Sequence, residues 1–129
     1  MHWTEQYIGQ PYVRGAADCA ALAVQVRREV FGHAVPPAVE QERAASALGR
    51  ARQMAEGVAD YGVRIDAPSD GDVVLMHCCG RPSHVGVYCV VGGEPSVLHA
   101  MENAGMVVLH RLRDLPRVYL SVEGFYRWK

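Results

Sequence analysis

Residues 84–101, with the sequence HVGVYCVVGGEPSVLHAM, contain two short runs rich in β-branched residues on either side of a turn with glycine and proline. Runs of this kind are typical of β-strands, and we assign them to residues 84–91 and 96–101. The second half of the chain has three more such runs: residues 72–78, 106–112 and 118–128. The sequence therefore predicts five consecutive strands, the last with a bulge near Gly124.

The first half of the chain has the periodicity of helices instead. Residues 3–9 predict a short helix that ends at Gly9, and residues 38–59, rich in Ala, Glu and Arg, predict a longer one. Between them, Asp18 is a good N-cap for a helix whose apolar residues follow helical spacing: Cys19, Leu22, Ala23, Val26 and Val30. Helices followed by an antiparallel sheet give the α+β class. We therefore predict one domain over residues 1–129, with N-terminal helices packed on an antiparallel β-sheet of about five strands.

The composition is that of a globular protein. Of the 129 residues, 50% are hydrophobic and 21% are charged, and the formal net charge of −1 gives no basic surface for nucleic acid. The N-terminal residues lack a basic start followed by an apolar run, and no segment approaches the ~18 apolar residues of a membrane span. We therefore expect a protein that is made in the cytoplasm without a signal peptide and that binds neither nucleic acid nor membranes.

Cys19 is placed where a cysteine can react. A thiol attacks as its thiolate, and the unpaired N–H groups and the dipole at a helix N-terminus favour that anion. The negative charge of Asp18 opposes the effect slightly. The alternative is that Cys19 is a small apolar residue packed in the core, as many free cysteines are. The residues around Cys19 leave both interpretations open.

Two histidines could complete such a site. A catalytic thiol needs an imidazole within hydrogen-bond reach, and that imidazole needs a polar partner that orients it. Because side chains alternate along a strand, His84 and His99 can lie on the same face if their two strands pair, and a helix packed there could present Cys19. Gly86 would then leave room for the helix end or for a substrate. The alternative for His99 is a hydrogen-bonded histidine of the core.

The second half of the chain also contains possible zinc ligands: His77, Cys78, Cys79, His84, Cys89 and His99. Structural zinc sites usually contain cysteine pairs with the spacing Cys-x2–4-Cys. Cys78 and Cys79 are adjacent instead and point to opposite sides of a strand, and Cys89 faces away from His84. We therefore expect no metal site and no other cofactor.

Four segments resemble, in order along the chain, the motifs of the NlpC/p60 family of papain-like cysteine peptidases. They are YIGQPYVRGAADCAAL (7–22), PSDGDVVLM (68–76), SHVGVYCV (83–90) and VLHAM (97–101). The resemblance covers roughly the whole chain except residues 33–66. Four segments in the order of the family are a fairly specific signature, because each has a different task in the site.

The resemblance implies a papain-like fold and a role for each matching residue. Cys19 resembles the nucleophile, His84 the general base and acid, and His99 the polar residue that orients His84. Tyr12 resembles the tyrosine that supports the oxyanion, and Asp18 the acid that in many members receives the amino group of the substrate. The family typically cleaves peptide bonds of bacterial peptidoglycan stem peptides, often between D-glutamate and a diamino acid. Compact members without an export signal resemble those carried on phage tails, so phage tail proteins are a further expected partner.

One departure from the family leaves alternatives open. The family usually has Ser-Gly after the Asp-Cys pair, where this chain has Ala20 and Ala21. A catalytically silent phage tail assembly module of the same fold, or an amidase that acts on a different wall bond, is compatible with this change. Alkylation tests whether Cys19 is an activated thiolate, since such a thiolate should react faster than the other three cysteines.

Overall fold

The computed structural model describes residues 1–35 and 46–129. Within these ranges it has two α-helices, α1 (Cys19–Glu29) and α2 (Ala47–Tyr61). The strands are β1 (Gly62–Ile65), β2 (Val73–Cys78), β3 (Arg81–Val91), β4 (Glu94–Met101), β5 (Met106–Arg111) and β6 (Leu120–Trp128). Short 3-10 helices span Trp3–Gln6, Glu102–Ala104 and Leu112–Val118. The strands form one antiparallel sheet in the order β1-β6-β2-β3-β4-β5.

The predicted α+β class, with helices packed on an antiparallel sheet, is confirmed. The sheet has six strands in the described residues rather than five, because β1 adds an edge strand beside β6. β1 has four residues and its two central ones are exposed, so it lacks the apolar run that marks the other strands. The expected bulge in β6 is present, since Leu75 pairs with Gly124 while the next residue, Met76, pairs with Val122.

The helices differ from the predicted ones mainly at their ends. The first is a 3-10 helix at Trp3–Gln6, followed by a turn that ends at Gly9. The helix predicted at residues 38–59 corresponds to α2, which continues to Tyr61, and residues 38–45 lie outside the described residues. No helix in the described parts of the chain combines the length and the apolar character that crossing a membrane requires.

Helix α1 begins where Asp18 caps it. Oδ1 of Asp18 accepts a hydrogen bond from the Ala21 N–H at 3.0 Å, which satisfies one of the free donors of the first turn. Leu22 and Val26, each 1% exposed, pack into the core from α1. Burial of such side chains stabilises the fold by about 2 kcal/mol each. The apolar side of α1 therefore fixes the position of the helix and of its N-terminal residue, Cys19.

Both faces of the sheet are covered, and alternation along the strands decides which side chains belong to each. α1 and α2 cover one face, here called the helix face, with the buried residues Val73, Leu75, Val85, Val87, Leu98, Ala100 and Val107. The opposite face packs against the 3-10 helix Leu112–Val118 through Val74, Met76, Tyr88 and Val97. His84 and His99 alternate with the residues of the helix face, so we call this second face the histidine face.

The position of α1 corrects an expectation from the sequence. We expected α1 to pack on the face that carries His84 and His99, but α1 lies on the opposite face of the sheet. The reason is that the side chains that contact α1, such as Val87 and Leu98, are the apolar neighbours of the histidines along the strands and therefore point the other way.

Gly86 also has a different role from the expected one. A Cβ at this position would lie 2.4 Å from Val97 Cγ2, 2.9 Å from the Leu98 carbonyl oxygen and 3.0 Å from His99 Cβ. All three contacts are to β4. Gly86 therefore makes room for the neighbouring strand, including His99, rather than for a helix end or a substrate.

Gly86→Ala should destabilise the protein by roughly 2 kcal/mol, because the added methyl group must displace Val97, His99 or the β4 backbone. Gly57→Ala is the matched control: it lies inside α2, where an added Cβ meets nothing within 4 Å outside the helix backbone. This control should stabilise the protein by about 0.5–1 kcal/mol. Denaturant titration followed by circular dichroism measures both changes. A free energy of unfolding for Gly86→Ala equal to that of the parent would contradict the close contact between the strands.

Candidate active site

Three histidines on the histidine face form a hydrogen-bonded row across three neighbouring strands. Nε2 of His84 in β3 and Nδ1 of His99 in β4 are 2.8 Å apart. Nε2 of His99 and Nδ1 of His110 in β5 are also 2.8 Å apart. Each outer ring thus contributes one nitrogen to the row, and His99 in the middle contributes both.

The sequence predicted that His84 and His99 share a face of paired strands, and in the structure their rings meet. His110 was not among the predicted site residues. What identifies it is the register between β4 and β5: His110 pairs with Val97, which lies on the same face of the sheet as His99. The residues of either strand do not specify this register, so the sequence alone did not identify His110.

Burial keeps the first two rings of the row neutral. His99 is fully buried, and this desolvation, together with the neighbouring His84 and His110, lowers the pKa of His99 to about 3. Desolvation also lowers the pKa of His84, to about 4. At neutral pH both rings are therefore uncharged imidazoles, each with one N–H donor and one lone-pair acceptor.

Cys19, at the start of α1, is 9% exposed. Burial raises the pKa of its thiol to about 11, and the charge of Asp18 acts in the same direction. The backbone N–H groups of Val85, Ala20 and Cys19 itself hydrogen-bond the sulfur and favour the thiolate, but burial outweighs them. The helix N-terminus therefore does not produce a resting thiolate, and at neutral pH Cys19 carries a thiol.

Cys19 and His84 line the same cavity, which has a volume of about 850 Å³. Helix α2 forms one wall, with Met54 and Val58 packed near Cys19. Within the described residues no hydrogen bond joins Cys19 to His84; the Cys19 sulfur is hydrogen-bonded by the N–H of Val85, the next residue of β3. The structure thus brings His84 and His99 together and places Cys19 in the same cavity wall as His84.

Tyr12 and Asp18 also line this cavity. The Tyr12 N–H donates a hydrogen bond to the Gly105 carbonyl at 2.9 Å, which ties the segment before α1 to the loop between β4 and β5. Both carboxylate oxygens of Asp18 accept backbone N–H groups, one from Ala21 at 3.0 Å and the other from Gly15 at 3.2 Å. Asp18 is therefore held in place by the helix cap, and a carboxylate retains further lone pairs for a ligand.

The cavity wall carries charges of both signs. Arg14 and Glu102 form an exposed ion pair, with 3.6 Å between Nη2 and Oε1, and both residues line the cavity. Arg81, the first residue of β3, lines it as well. Together with Asp18, these groups suit a ligand that carries both amino and carboxylate groups, since each sign of charge on the ligand has an opposite charge in the wall.

The other cysteines lie outside the row of histidines. Cys89 is fully buried, Cys78 is half-buried and Cys79 is exposed at the β2–β3 turn, and all are free thiols. Burial raises the pKa of Cys89 to about 12. Within residues 1–35 and 46–129, no group of three or more His, Cys, Asp or Glu side chains is placed to hold a metal ion.

A family model described as the NlpC/P60 family matches residues 9–116, which is most of the 129-residue chain. The matched range includes all of the residues considered for the site: Tyr12, Asp18, Cys19, His84, His99 and His110. It leaves out the N-terminal 3-10 helix and strand β6. No curated protein and no solved structure matches the chain.

The four thiols should react with iodoacetamide in an order set by exposure and pKa. Cys79, exposed at its turn, should be alkylated first at neutral pH, whereas the buried Cys19 and Cys89 should react slowly because little thiolate is present. Peptide mass spectrometry after timed exposure to the reagent measures each rate. Faster labelling of Cys19 than of Cys79 would contradict the buried neutral thiol and support the thiolate expected from the helix N-terminus.

Proposed function

The chain belongs to the NlpC/P60 family, and we propose that it is a cysteine peptidase that hydrolyses a peptide bond in the stem peptides of bacterial peptidoglycan. Members of this family are in general cysteine peptidases that act on the cell wall. Within that class we propose a γ-D-glutamyl–diamino acid endopeptidase, with Cys19 as the nucleophile and His84 as the general base and acid.

The observation that supports this proposal most is the placement of Cys19 and His84 in one cavity while His99 holds the Nε2 side of His84. A nucleophile, a base and a group that orients the base are the parts that covalent catalysis needs. The mixed charges of the cavity wall add to the support, because a stem peptide with a diamino acid carries both amino and carboxylate groups.

The hydrogen bond to His99 decides which nitrogen of His84 can act. Nε2 is already bonded to His99, so Nδ1 is the nitrogen left to accept the proton of Cys19. Thiol and imidazole are both neutral at rest, and we therefore propose that the proton moves as the sulfur attacks rather than beforehand. For this step the sulfur must leave the Val85 N–H and come within hydrogen-bond reach of His84 Nδ1.

The proposed reaction is acyl transfer through a thioester. The sulfur of Cys19 bonds to the carbonyl carbon while its proton passes to His84, and a tetrahedral oxyanion forms. The carbon–nitrogen bond then breaks as His84 returns the proton to the leaving amine. In the second half, His84 takes a proton from water, the resulting hydroxide attacks the thioester, and the carboxyl product leaves as the thiol is restored.

Two further residues have proposed roles in this cavity. The Cys19 N–H at the start of α1 and the Tyr12 hydroxyl would donate to the oxyanion once the sulfur has attacked. Asp18 would receive the amino group of the substrate through lone pairs that its helix cap leaves free. We also propose that the enzyme acts at the cell wall as part of a phage tail, by analogy with compact members of the family.

Cys19→Ala should lower the release of wall peptides by about three orders of magnitude or more, because the covalent step is lost. Cys89→Ala, which removes a free thiol that does not line the cavity, is the matched control and should keep the parent rate. Purified peptidoglycan peptides are the substrate, and mass spectrometry of the products measures the rate and identifies the bond. Circular dichroism verifies that both variants fold.

Three outcomes would contradict the proposal in different ways. Undiminished release by Cys19→Ala would exclude the nucleophile. No release by the folded parent protein would favour a silent tail module of the same fold. Cleavage of the bond between the sugar and the peptide would identify an amidase, with the same catalytic groups acting on another wall bond.

The pH dependence of kcat/KM should show an acid limb near pH 4, well below the usual value for histidine. The base must be neutral in the free enzyme, and the lowered pKa of His84 keeps it neutral down to about pH 4. In the unfolded chain His84 takes up its proton near pH 6.5, whereas in the folded protein it does so near pH 4. The free energy of unfolding therefore falls as the pH drops from about 6.5 towards 4. Circular dichroism at each pH separates unfolding from titration, and an acid limb at 6.5 or above in folded protein would contradict a buried neutral base.

A further inference from the structure

The row His84–His99–His110 contains a constraint that a catalytic pair with one orienting residue does not have. Two nitrogen–nitrogen contacts of 2.8 Å join the three rings, and each contact needs one proton between its two nitrogens. His99 takes part in both contacts. As a neutral imidazole it has a single proton, so it can donate in one contact and must accept in the other.

Only two arrangements of protons satisfy both contacts. In the first, His84 donates from Nε2 to His99 Nδ1, and His99 donates from Nε2 to His110 Nδ1. In the second, every proton is on the other side: His110 donates from Nδ1 to His99 Nε2, and His99 donates from Nδ1 to His84 Nε2. The tautomers of the three rings are therefore coupled, and none can change without the others.

The two arrangements differ in what His84 can do. In the first, the proton of His84 is on Nε2 and the lone pair of Nδ1 is free to accept the Cys19 proton. In the second, a neutral His84 has its proton on Nδ1 and its Nε2 lone pair is used by His99, so it has no acceptor for the thiol. The first arrangement is competent for catalysis and the second is blocked.

We propose that His110 is a positioning residue: by accepting the Nε2–H of His99 through its own Nδ1, it holds the row in the arrangement that leaves His84 Nδ1 free for Cys19. This inference rests on the proposed function of Cys19 and His84. It assigns His110 no contact with the substrate, and the residue acts through His99.

The burial of His99 gives His110 this influence. His99 is 0% exposed, and its side-chain nitrogens are hydrogen-bonded to His84 and His110. Without an acceptor at position 110, the first arrangement would leave the His99 Nε2–H buried and unpaired. The second would leave only a lone pair unpaired, which proteins tolerate more often than an unpaired N–H. Loss of the acceptor therefore shifts the row towards the blocked arrangement.

The test compares His110→Leu, which removes the acceptor, with His110→Asn, whose side-chain oxygen can accept the same N–H. His33→Leu, at an exposed histidine outside the cavity of Cys19 and His84, is the matched control. His110→Leu should lower kcat on peptidoglycan peptides about 10- to 100-fold with little change in KM. His110→Asn should restore most of that loss, and His33→Leu should leave kcat unchanged.

A second measurement follows the tautomers directly and does not depend on activity. Long-range 15N NMR of the imidazoles should find His84 and His99 as Nε2–H tautomers in the parent protein and in His110→Asn. In His110→Leu, His99 should shift towards the Nδ1–H form. Thermal denaturation identifies any variant that does not fold, and His110→Asn then provides the comparison.

The outcomes for His110 are distinct from those for the proposed function. Equal loss of kcat in His110→Leu and His110→Asn, with unchanged tautomers, would overturn the positioning role, as would an Nδ1–H form of His99 in the parent protein. A parent protein that cleaves no wall peptide, but shows the expected tautomers and their shift in His110→Leu, would instead overturn the proposed peptidase and leave the coupling through His110 established.

Discussion

The close approach of β3 and β4 at Gly86 is the constraint on which the candidate site depends. Because Gly86 has no side chain, Val97 and the Cβ of His99 approach β3 more closely than a larger residue at position 86 would allow. His99 is thereby held against the strand that carries His84, and the two rings meet at 2.8 Å. Register then extends the row, because His110 on β5 lies on the same face as Val97 and His99. A single residue without a side chain thus permits a row of three imidazoles across three strands.

Burial has two opposite consequences for the chemistry of the site. It makes the thiol of Cys19 a weaker acid and the imidazole of His84 a weaker base, so the resting pair is neutral although hydrogen bonds from backbone N–H groups favour the thiolate. The same low-dielectric surroundings strengthen every hydrogen bond within the row and couple the tautomers of its members. In the resting site the thiol and the imidazole are therefore not ionised, and the hydrogen bonds of the row have fixed directions. Charge develops only when the thiol attacks a substrate.

Much of the architecture could be predicted from the sequence, and the exceptions have physical causes. The strand runs, the capped helix at Asp18 and the pairing of the strands that carry His84 and His99 depend on local composition and on alternation. The edge strand β1 was missed because its two central residues are exposed and give no apolar signal. The face that receives α1 was predicted wrongly, because alternation separates residues into two sets but does not say which set meets the helix. Met54 and Val58 form part of the cavity wall, but the sequence did not predict this because they lie in a stretch without a recognisable motif.

The sequence by itself determined the chemical groups of the candidate site and the elements that carry them: a cysteine at a capped helix start and histidines on paired strands. Tertiary structure decided how these groups are related. It placed Cys19 beside the Val85 N–H, brought His110 into the row, assigned the role of Gly86 to strand packing and set the protonation states through burial. The physical reason is that periodicity depends on neighbours along the chain, whereas register, desolvation and the direction of a hydrogen bond depend on residues that are distant in sequence and meet only in the fold.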